Sequence, residues 1–508
     1  MFQRLKTHPL LLVMLVAIGL RLPAVIFSKG YMASDDYYET VDVAYRWAHG
    51  SMWSDTGHLS WYSVPKGDIA RFPLYNLFLY VLIKIGDSIG DSSLDSTMYF
   101  VRAVHALLSL ISVWAVFKIV EIATKSKRWA MLGGLIVAAQ FAMPFLSVRN
   151  LIEVVGGHMW ILTLLALYRY DSGQRTRWVI VAGLLTGLTW MIRFELAFAV
   201  LPVPLVLWFL YRNIRPALWY CAAVFFMILL SGVADYFLIG QFWASTINRI
   251  LQALHESAMY HTTIFIYPLE ILAFFIPPFS LIIFWKALRP NLWRHHLVLF
   301  VTLAVYIIAH TIAINRQERY MIPIIPALIT LIVLALESWS HKANAFVRTK
   351  AFRYGIIVPT LAINLGLLVM FTFNYGKRGL VEPLVEVRKL DSAARVLIVS
   401  PEQRSFYPFA YAGLENLSRP PLQSWADLPR PGDPDPRRDS FDYLIVYPPE
   451  PADLPRYLDS LKSAYGTLQQ VDHVPPSNLD LILHELNPSH NRRNEAWVFR
   501  RPLAAGVE

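Results

Sequence analysis

Five groups of ionisable residues stand at the ends of long apolar runs, and their types suit proton transfer and phosphate binding. The first is Ser34-Asp35-Asp36-Tyr37-Tyr38-Glu39. Adjacent carboxylates repel, which raises the pKa of one and suits it to act as a general base. An acidic loop that only sets topology would carry the same residues. The second group is Asn315-Arg316-Gln317-Glu318-Arg319-Tyr320, followed by Met-Ile-Pro-Ile-Ile-Pro over 321–326. Two guanidiniums at a helix start, beside the positive end of the helix dipole, fit a phosphate. The alternative is a short loop in which Glu318 pairs one arginine and the other reaches lipid headgroups. Arg149-Asn150-Leu151-Ile152-Glu153 and Arg193-Phe194-Glu195 form the third and fourth groups, and each reads alone as an ordinary ion pair. The fifth is Asp235-Tyr236, leading into a loop with His255, Glu256, Tyr260 and His261. Its histidines lack a spacing that specifies metal, so no metal site is expected.

The elements that position these groups follow from composition. The 508 residues are 56% hydrophobic and only 16% charged, against about 25% charged in soluble domains, which excludes a soluble globular enzyme. Cys221 is the sole cysteine, so a disulfide scaffold is excluded too. A membrane span needs about 20 apolar residues. On that basis spans are expected near 9–27, 99–123, 129–147, 157–170, 178–192, 195–211, 217–238, 268–285, 297–313, 321–338 and 355–374, about eleven in all. The fifth and sixth are short enough to form one re-entrant hairpin. Arg21 and Pro23 interrupt the first, and no small-residue cleavage site follows, so it does not read as a cleaved signal.

Lysine and arginine in short loops stay on the cytoplasmic side. With the N-terminus inside, six inner segments carry the cations: Arg4 and Lys6, then Lys125 to Arg128, Arg169 to Arg177, Arg212 and Arg215, Lys286 to Arg294, and Lys342 to Arg353. The net charge of +10 therefore needs no nucleic acid. Residues 1–374 hold 30 Lys+Arg against 18 Asp+Glu, and the remainder 16 against 18, so the whole excess is an orientation signal. An odd number of spans places 375–508 outside, and all five ionisable groups fall on that outer face.

Two outer segments are large. The first, 28–98, contains an apolar stretch at 72–85 that reads as an interfacial helix, because a further span there would turn every basic loop outward. The tail, 375–508, reads as a small α/β domain, with strands at 395–399, 443–446, 479–486 and 496–500 and a helix at 454–465. It carries no phosphate loop, nucleophile elbow or metal-spaced cluster. Substrate binding and plain packing both remain open for it. The expected fold class is an all-α polytopic membrane domain, 1–374, followed by this extracytoplasmic α/β domain.

On these residues the chain resembles the C-type superfamily of integral-membrane glycosyltransferases, and within it the dolichyl-phosphate-mannose-dependent mannosyltransferases that build GPI anchors and asparagine-linked glycans. That family places His-Pro-Asp-Glu after its first span; here Ala33-Ser34-Asp35-Asp36-Tyr37-Tyr38 keeps the Asp at Asp35 and puts Asp36 for the Glu, without the His and Pro. The family's His-Lys-Glu-x-Arg-Phe ahead of Pro-x-x-Pro is matched by residues 315–320 with Pro323 and Pro326, identical only at Arg319. Its Asp-Ser, Tyr-Gly and Tyr-Gly-x-His elements are echoed by Asp235-Tyr236, Gly240 and Ala258-Met259-Tyr260-His261. The order matches over about residues 1–375, the tail does not, and the departures point to a divergent, bacterial relative.

The resemblance implies an inverting transfer of a sugar, mannose first, from a polyprenyl-phosphate donor to an acceptor hydroxyl of a lipid, glycan or protein at the outer face of a bacterial inner membrane. Asp35 is then the base, with Asp36 second. Arg319, Arg316 and Arg193 hold the donor phosphate, and Glu153, Asp235, Tyr260 and His261 position substrate. An arginine clamp can replace a metal, so neither metal nor cofactor is expected. The alternatives are transfer of another sugar, such as aminoarabinose, and a transporter or lipid flippase. A transporter would show repeats and mid-membrane polar residues, and of the latter only His105, Lys118, Gln140 and His310 stand out.

Overall fold

The computed structural model describes residues 8–33, 37–54, 58–59, 72–91, 93–255, 263–313, 316–341, 346–400, 407–413, 422–424, 440–486, 488 and 491–502. The chain divides into two compact units. One comprises Met1–Val25, Trp53–Tyr75 and Arg102–Thr372; the other comprises Ile26–Met52, Asn76–Val101 and Phe373–Glu508.

In the first unit, each apolar run expected to span a membrane lies on helix. Pro9–Phe27, Leu94–Thr124, Phe194–Tyr211, Ile214–Ile239, Glu318–Ser340 and Lys350–Thr372 are long and apolar enough to cross, which makes this a multi-pass membrane protein. A seventh crossing is added if Ile266–Phe274 and Phe279–Ala287, bent by 114°, form one span. Pro277 and Pro278 occupy that break, where a ring in place of an N–H stops the helical ladder. Thr176–Ile192 and Leu297–Ile312 are apolar but shorter. The expected span at 129–147 is broken into Lys127–Ala139 and Met143–Ser147. Its freed backbone groups are answered by side chains: Asn364 Nδ2 donates to the Ala139 carbonyl, Asn364 Oδ1 accepts from the Phe141 amide, and Gln140 Oε1 accepts from the Ala142 amide. A break among apolar residues requires such partners, because no water is there to supply them.

Close helix contact in this unit depends on missing side chains. A Cβ on Gly157 would lie 2.9 Å from the Pro323 carbonyl oxygen, so helix Ile152–Gly173 rests directly on the backbone of the Glu318–Ile324 turn. That contact sets Glu153, one turn earlier, beside Arg319. Small residues serve helix packing in apolar surroundings in just this way.

The second unit contains a five-stranded sheet. β1 (Val396–Ser400) is parallel to β2 (Leu422–Ser424) and to β3 (Tyr443–Val446). β5 (Ala496–Arg500) pairs antiparallel with β3 and with β4 (Gln469–Val474), giving the order β2-β1-β3-β5-β4. Leu397, Val399, Leu444, Val446, Trp497 and Phe499 pack against Leu461 and Tyr465 of helix Leu454–Tyr465. The strand expected at 479–486 is instead a helix, Asn478–Leu486. Ser477 and Asp480 form its reciprocal cap: Ser477 Oγ donates to Asp480 Oδ2, and the Asp480 amide donates back to Ser477 Oγ. The Lys377 and Arg378 amides also donate to Asp480, at 3.3 Å each, so one carboxylate caps the start of Arg378–Leu390 as well.

The apolar stretch at 72–85 is helical, Leu74–Ile89. Tyr75, Leu79, Leu82 and Ile83 are buried along one stripe, while Val81, Ile85 and Ile89 are exposed.

Candidate active site

Helix Ile152–Gly173 opens with Glu153, which is completely buried. A buried carboxylate is costly unless cations face it, and two do. Arg193 Nη1 lies 3.0 Å from Glu153 Oε1, and Arg319 Nε lies 3.6 Å from the same oxygen. Arg193 occupies the break between Thr176–Ile192 and the single turn Phe194–Leu196, with only 7% of its surface exposed. Arg319 sits on the 3-10 turn Glu318–Ile324, 9% exposed, and donates from Nε to Gln317 Oε1 at 2.7 Å.

The network extends one step further. Glu195 Oε2 is 3.7 Å from Arg193 Nε, and Glu195 Oε1 accepts from Arg249 Nε at 2.8 Å. Arg249, on helix Ala244–His255, also donates to Gln252 Oε1. Five ionisable side chains from four segments thus form one chain, Arg319 to Glu153 to Arg193 to Glu195 to Arg249, in which the guanidiniums outnumber the carboxylates by one. Both Glu153 oxygens lack a well-aligned hydrogen bond despite the short charge separations.

The ring of Tyr320 lies 5.3 Å from the Arg193 guanidinium and 5.8 Å from that of Arg319. Tyr320 is held in turn, because Tyr306 donates its hydroxyl to the Tyr320 carbonyl at 2.7 Å. The Tyr306 carbonyl lies 3.0 Å from His310 Nδ1, and the two rings are 4.1 Å apart. A cation flanked by a π-face and a fixed carboxylate is preorganised, with little reorganisation left to make on meeting an anion.

Of the residues expected at the site, Glu153, Arg193 and Arg319 come together. Arg316 turns elsewhere: its Nε donates to the Thr311 carbonyl at 2.9 Å. Asp235 is fully buried and accepts from the amide and hydroxyl of Ser245, which ties the end of helix Ile214–Ile239 to the start of Ala244–His255. Asp35, Asp36, Tyr260 and His261 lie outside the described residues. In the sequence Glu195 reads only as part of a local ion pair with Arg193, and Arg249 is not singled out. The available signal was that both are outer-face charges flanked by apolar helix.

In the second unit the residues next to the acidic motif are aromatic and packed. Tyr37 follows Asp36 directly; its ring lies 5.3 Å from Tyr31 and 5.0 Å from Tyr38. Burial, reinforced by the Asp42 carboxylate and the neighbouring phenols, holds Tyr37 well above the usual phenol pKa, and burial does the same for Tyr38. These hydroxyls stay protonated near neutrality, so they are not bases.

Residues 77–236 match the family model described as dolichyl-phosphate-mannose-protein mannosyltransferase. Among solved structures, the chain is similar to ArnT from Cupriavidus metallidurans bound to undecaprenyl phosphate, with 13% identity over 98% of this chain and 99% of that one and a TM-score of 0.59. The apo form of that ArnT gives a TM-score of 0.58 at 13% identity, over 98% of this chain and 100% of that one. The arabinofuranosyltransferase AftD from Mycobacteria is 13% identical over 97% of this chain but 40% of its own length, with a TM-score of 0.51. No curated protein sequence matches the chain. At these identities the likeness is one of fold.

Proposed function

We propose that this chain, which has the fold of the C-type integral-membrane glycosyltransferases, is an inverting glycosyltransferase that moves a sugar from a polyprenyl-phosphate donor to an acceptor hydroxyl. The observation that carries this reading is the network in which buried Arg193 and Arg319 share buried Glu153, with half-buried Glu195 and Arg249 beyond them. A phosphodiester donor bears a single negative charge, and the lipid phosphate that leaves bears about −1.5 to −2. A fixed excess of buried positive charge therefore favours the leaving state over the bound donor, and such a differential is what accelerates a reaction.

In the proposed reaction the acceptor oxygen attacks the anomeric carbon while Asp35 takes the hydroxyl proton, with Asp36 second in that role. The bond from the anomeric carbon to the phosphate oxygen breaks, its electron pair leaves with the polyprenyl phosphate, and the configuration inverts. Arg319 and Arg193 hold the phosphate, and Glu153 orients both. Asp235, Tyr260 and His261 belong to the acceptor side. Because arginines carry the phosphate charge, the reading requires no metal. The enzyme sits in a bacterial inner membrane, N-terminus in the cytoplasm and residues 375–508 outside.

Mannose as the sugar is supported by the family model over residues 77–236. The undecaprenyl phosphate bound to the ArnT neighbour supports a polyprenyl phosphate as carrier, and it suits aminoarabinose or another sugar equally. A mass-resolved screen of undecaprenyl-phosphate sugars against the purified protein tests the proposal. Release of undecaprenyl phosphate together with a glycosylated acceptor is expected. Movement of the lipid-linked sugar across liposomes with no release would favour a flippase instead.

A further inference from the structure

Helix Ala244–His255, which carries Arg249, has a second face that the ionisable network does not use. It leaves the end of helix Ile214–Ile239 through a tightly built joint. Gly240, at φ +92°, reverses the chain there, and its amide donates to the Asp235 and Tyr236 carbonyls. The Trp243 indole donates from Nε1 to the Ile228 carbonyl at 2.7 Å, and Gly232 makes room for the ring, since a Cβ there would collide with it. The bonds from Ser245 to Asp235 close the joint. Contacts on both sides of the turn thus set the direction in which the second helix leaves the first.

Ser245, Arg249 and Gln252 fall at i, i+4 and i+7, on one side of the helix. That side makes the polar bonds: Ser245 to Asp235, and Arg249 to Glu195 and Gln252. Ile247, Ile250, Leu251 and Leu254 fall at i, i+3, i+4 and i+7 on the opposite side, and all four are exposed, Leu254 by 75%. Their stripe continues the exposed face of the preceding span, Val233, Tyr236 and Phe237, by way of Phe242. The outward apolar face of a span meets lipid, so a stripe continuous with it meets lipid too. A helix with one apolar and one polar side, joined to the end of a span, lies in the plane of the interface, its apolar side sunk about 5–10 Å into the boundary of headgroups and acyl chains.

We infer that Ala244–His255 is an interfacial helix docked on the phospholipid surface beside the site, and that this seating holds Arg249 against Glu195. Arg249 is then a positioning residue for Arg193: its Nε donates to Glu195 Oε1 at 2.8 Å, and Glu195 Oε2 faces Arg193 Nε at 3.7 Å. Lifting the helix from the surface draws the guanidinium off Glu195 and leaves Arg193 less firmly aimed. A misplacement of about 1 Å costs on the order of a hundredfold in rate. The effect on turnover rests on the reading of Arg193 as a donor-phosphate ligand; the seating itself does not.

The test uses the full chain in nanodiscs of phosphatidylethanolamine and phosphatidylglycerol. With Cys221 replaced by serine, spin labels are placed on Ile250→Cys, Leu254→Cys and, off the stripe, Ala253→Cys. The labels at 250 and 254 should favour collision with oxygen over a water-soluble nickel chelate, and more strongly than the label at 253. A preference for the chelate at 250 and 254, or no difference from 253, overturns the seating. Turnover is read with the undecaprenyl-phosphate sugar that wild type consumes. Leu254→Asp should lower the donor kcat/KM at least about tenfold, whereas Leu254→Met, which keeps an apolar chain of similar size, should stay within about threefold of wild type. In a Glu195→Gln background, where the link to Arg193 is already cut, Leu254→Asp should add less than about threefold. A full tenfold loss in that background, or wild-type activity in Leu254→Asp, overturns the positioning role. If Leu254→Asp does not fold, Leu254→Gln takes its place. No consumption of any donor by wild type sinks the glycosyltransferase reading alone, and the labels still decide the seating.

Discussion

Replacing Arg319 with glutamine separates the phosphate role from the structural one, because of how the network is wired. Arg193 stays 3.0 Å from Glu153 when Arg319 is lost, so the buried carboxylate keeps its nearer cation. Arg319 stands farther off, at 3.6 Å, and its Nε donates to Gln317 Oε1. On the proposed reading, Arg319→Gln removes one guanidinium that holds the leaving phosphate. A hydrogen bond to a charged group contributes about 1.5–3 kcal/mol. If Arg319 donates one such bond in the transition state, kcat/KM for the donor falls by roughly 1.5–3 kcal/mol, which is about 13-fold to about 160-fold. Initial rates of undecaprenyl phosphate release, measured with donor varied at fixed acceptor and then the reverse, read this directly. The loss should appear on the donor side and be shared between kcat and KM. A change confined to the acceptor KM, or a donor kcat/KM within about threefold of wild type, would refute the phosphate role.

Glu153→Gln leaves Arg193 and Arg319 buried without their shared anion, and breaking a buried pair in this way costs about 3–5 kcal/mol. Thermal unfolding should show a clear loss of Tm in the Gln variant, and an unchanged Tm would contradict the stabilising role of the pairing. In the tail, Arg395 donates from its amide, Nε and Nη2 to Asp442, which holds that carboxyl below its ordinary range. A depressed folded pKa stabilises above the ordinary carboxylate pKa of about 3.9 and is lost as pH falls through the folded value. The pair is partly exposed, so Asp442→Asn should cost under about 1 kcal/mol at pH 7 and nothing in strong acid. Denaturation of the full chain at pH 7 and near pH 2 checks both the size and the sign; a deficit that grew on acidification would contradict the pairing.

The helical membrane part was legible because long apolar runs admit one backbone solution in lipid. Arg193, Glu153 and Arg319 were legible as charges at the ends of such runs. Their mutual contact was not, since Glu153 and Arg319 are joined only through the close approach of Gly157 to Pro323, which no local pattern announces. Glu195 and Arg249, 54 positions apart, were missed for the same reason. In the tail, residues 479–486 misled because a short apolar run fits strand and helix alike. The cap Ser477-x-x-Asp480 was the local signal that decided for helix. β4 was not visible because most of its residues are exposed, so it shows no buried alternation. The stack of Tyr37 on Tyr411 joins positions far apart in the chain and could appear only in three dimensions.

The central claim is that a carboxylate at Asp35 drives transfer of a sugar from a polyprenyl phosphate. It is tested most directly by mass-resolved turnover of wild type and Asp35→Asn on the same panel of undecaprenyl-phosphate sugars, with binding of undecaprenyl phosphate measured in parallel. Wild type should release undecaprenyl phosphate and form a product of inverted anomeric configuration. Asp35→Asn should bind the lipid phosphate as tightly and turn over at least about a hundredfold more slowly, the scale of a lost general base. Wild-type turnover in Asp35→Asn, or no donor consumed by the wild-type protein, would contradict the account.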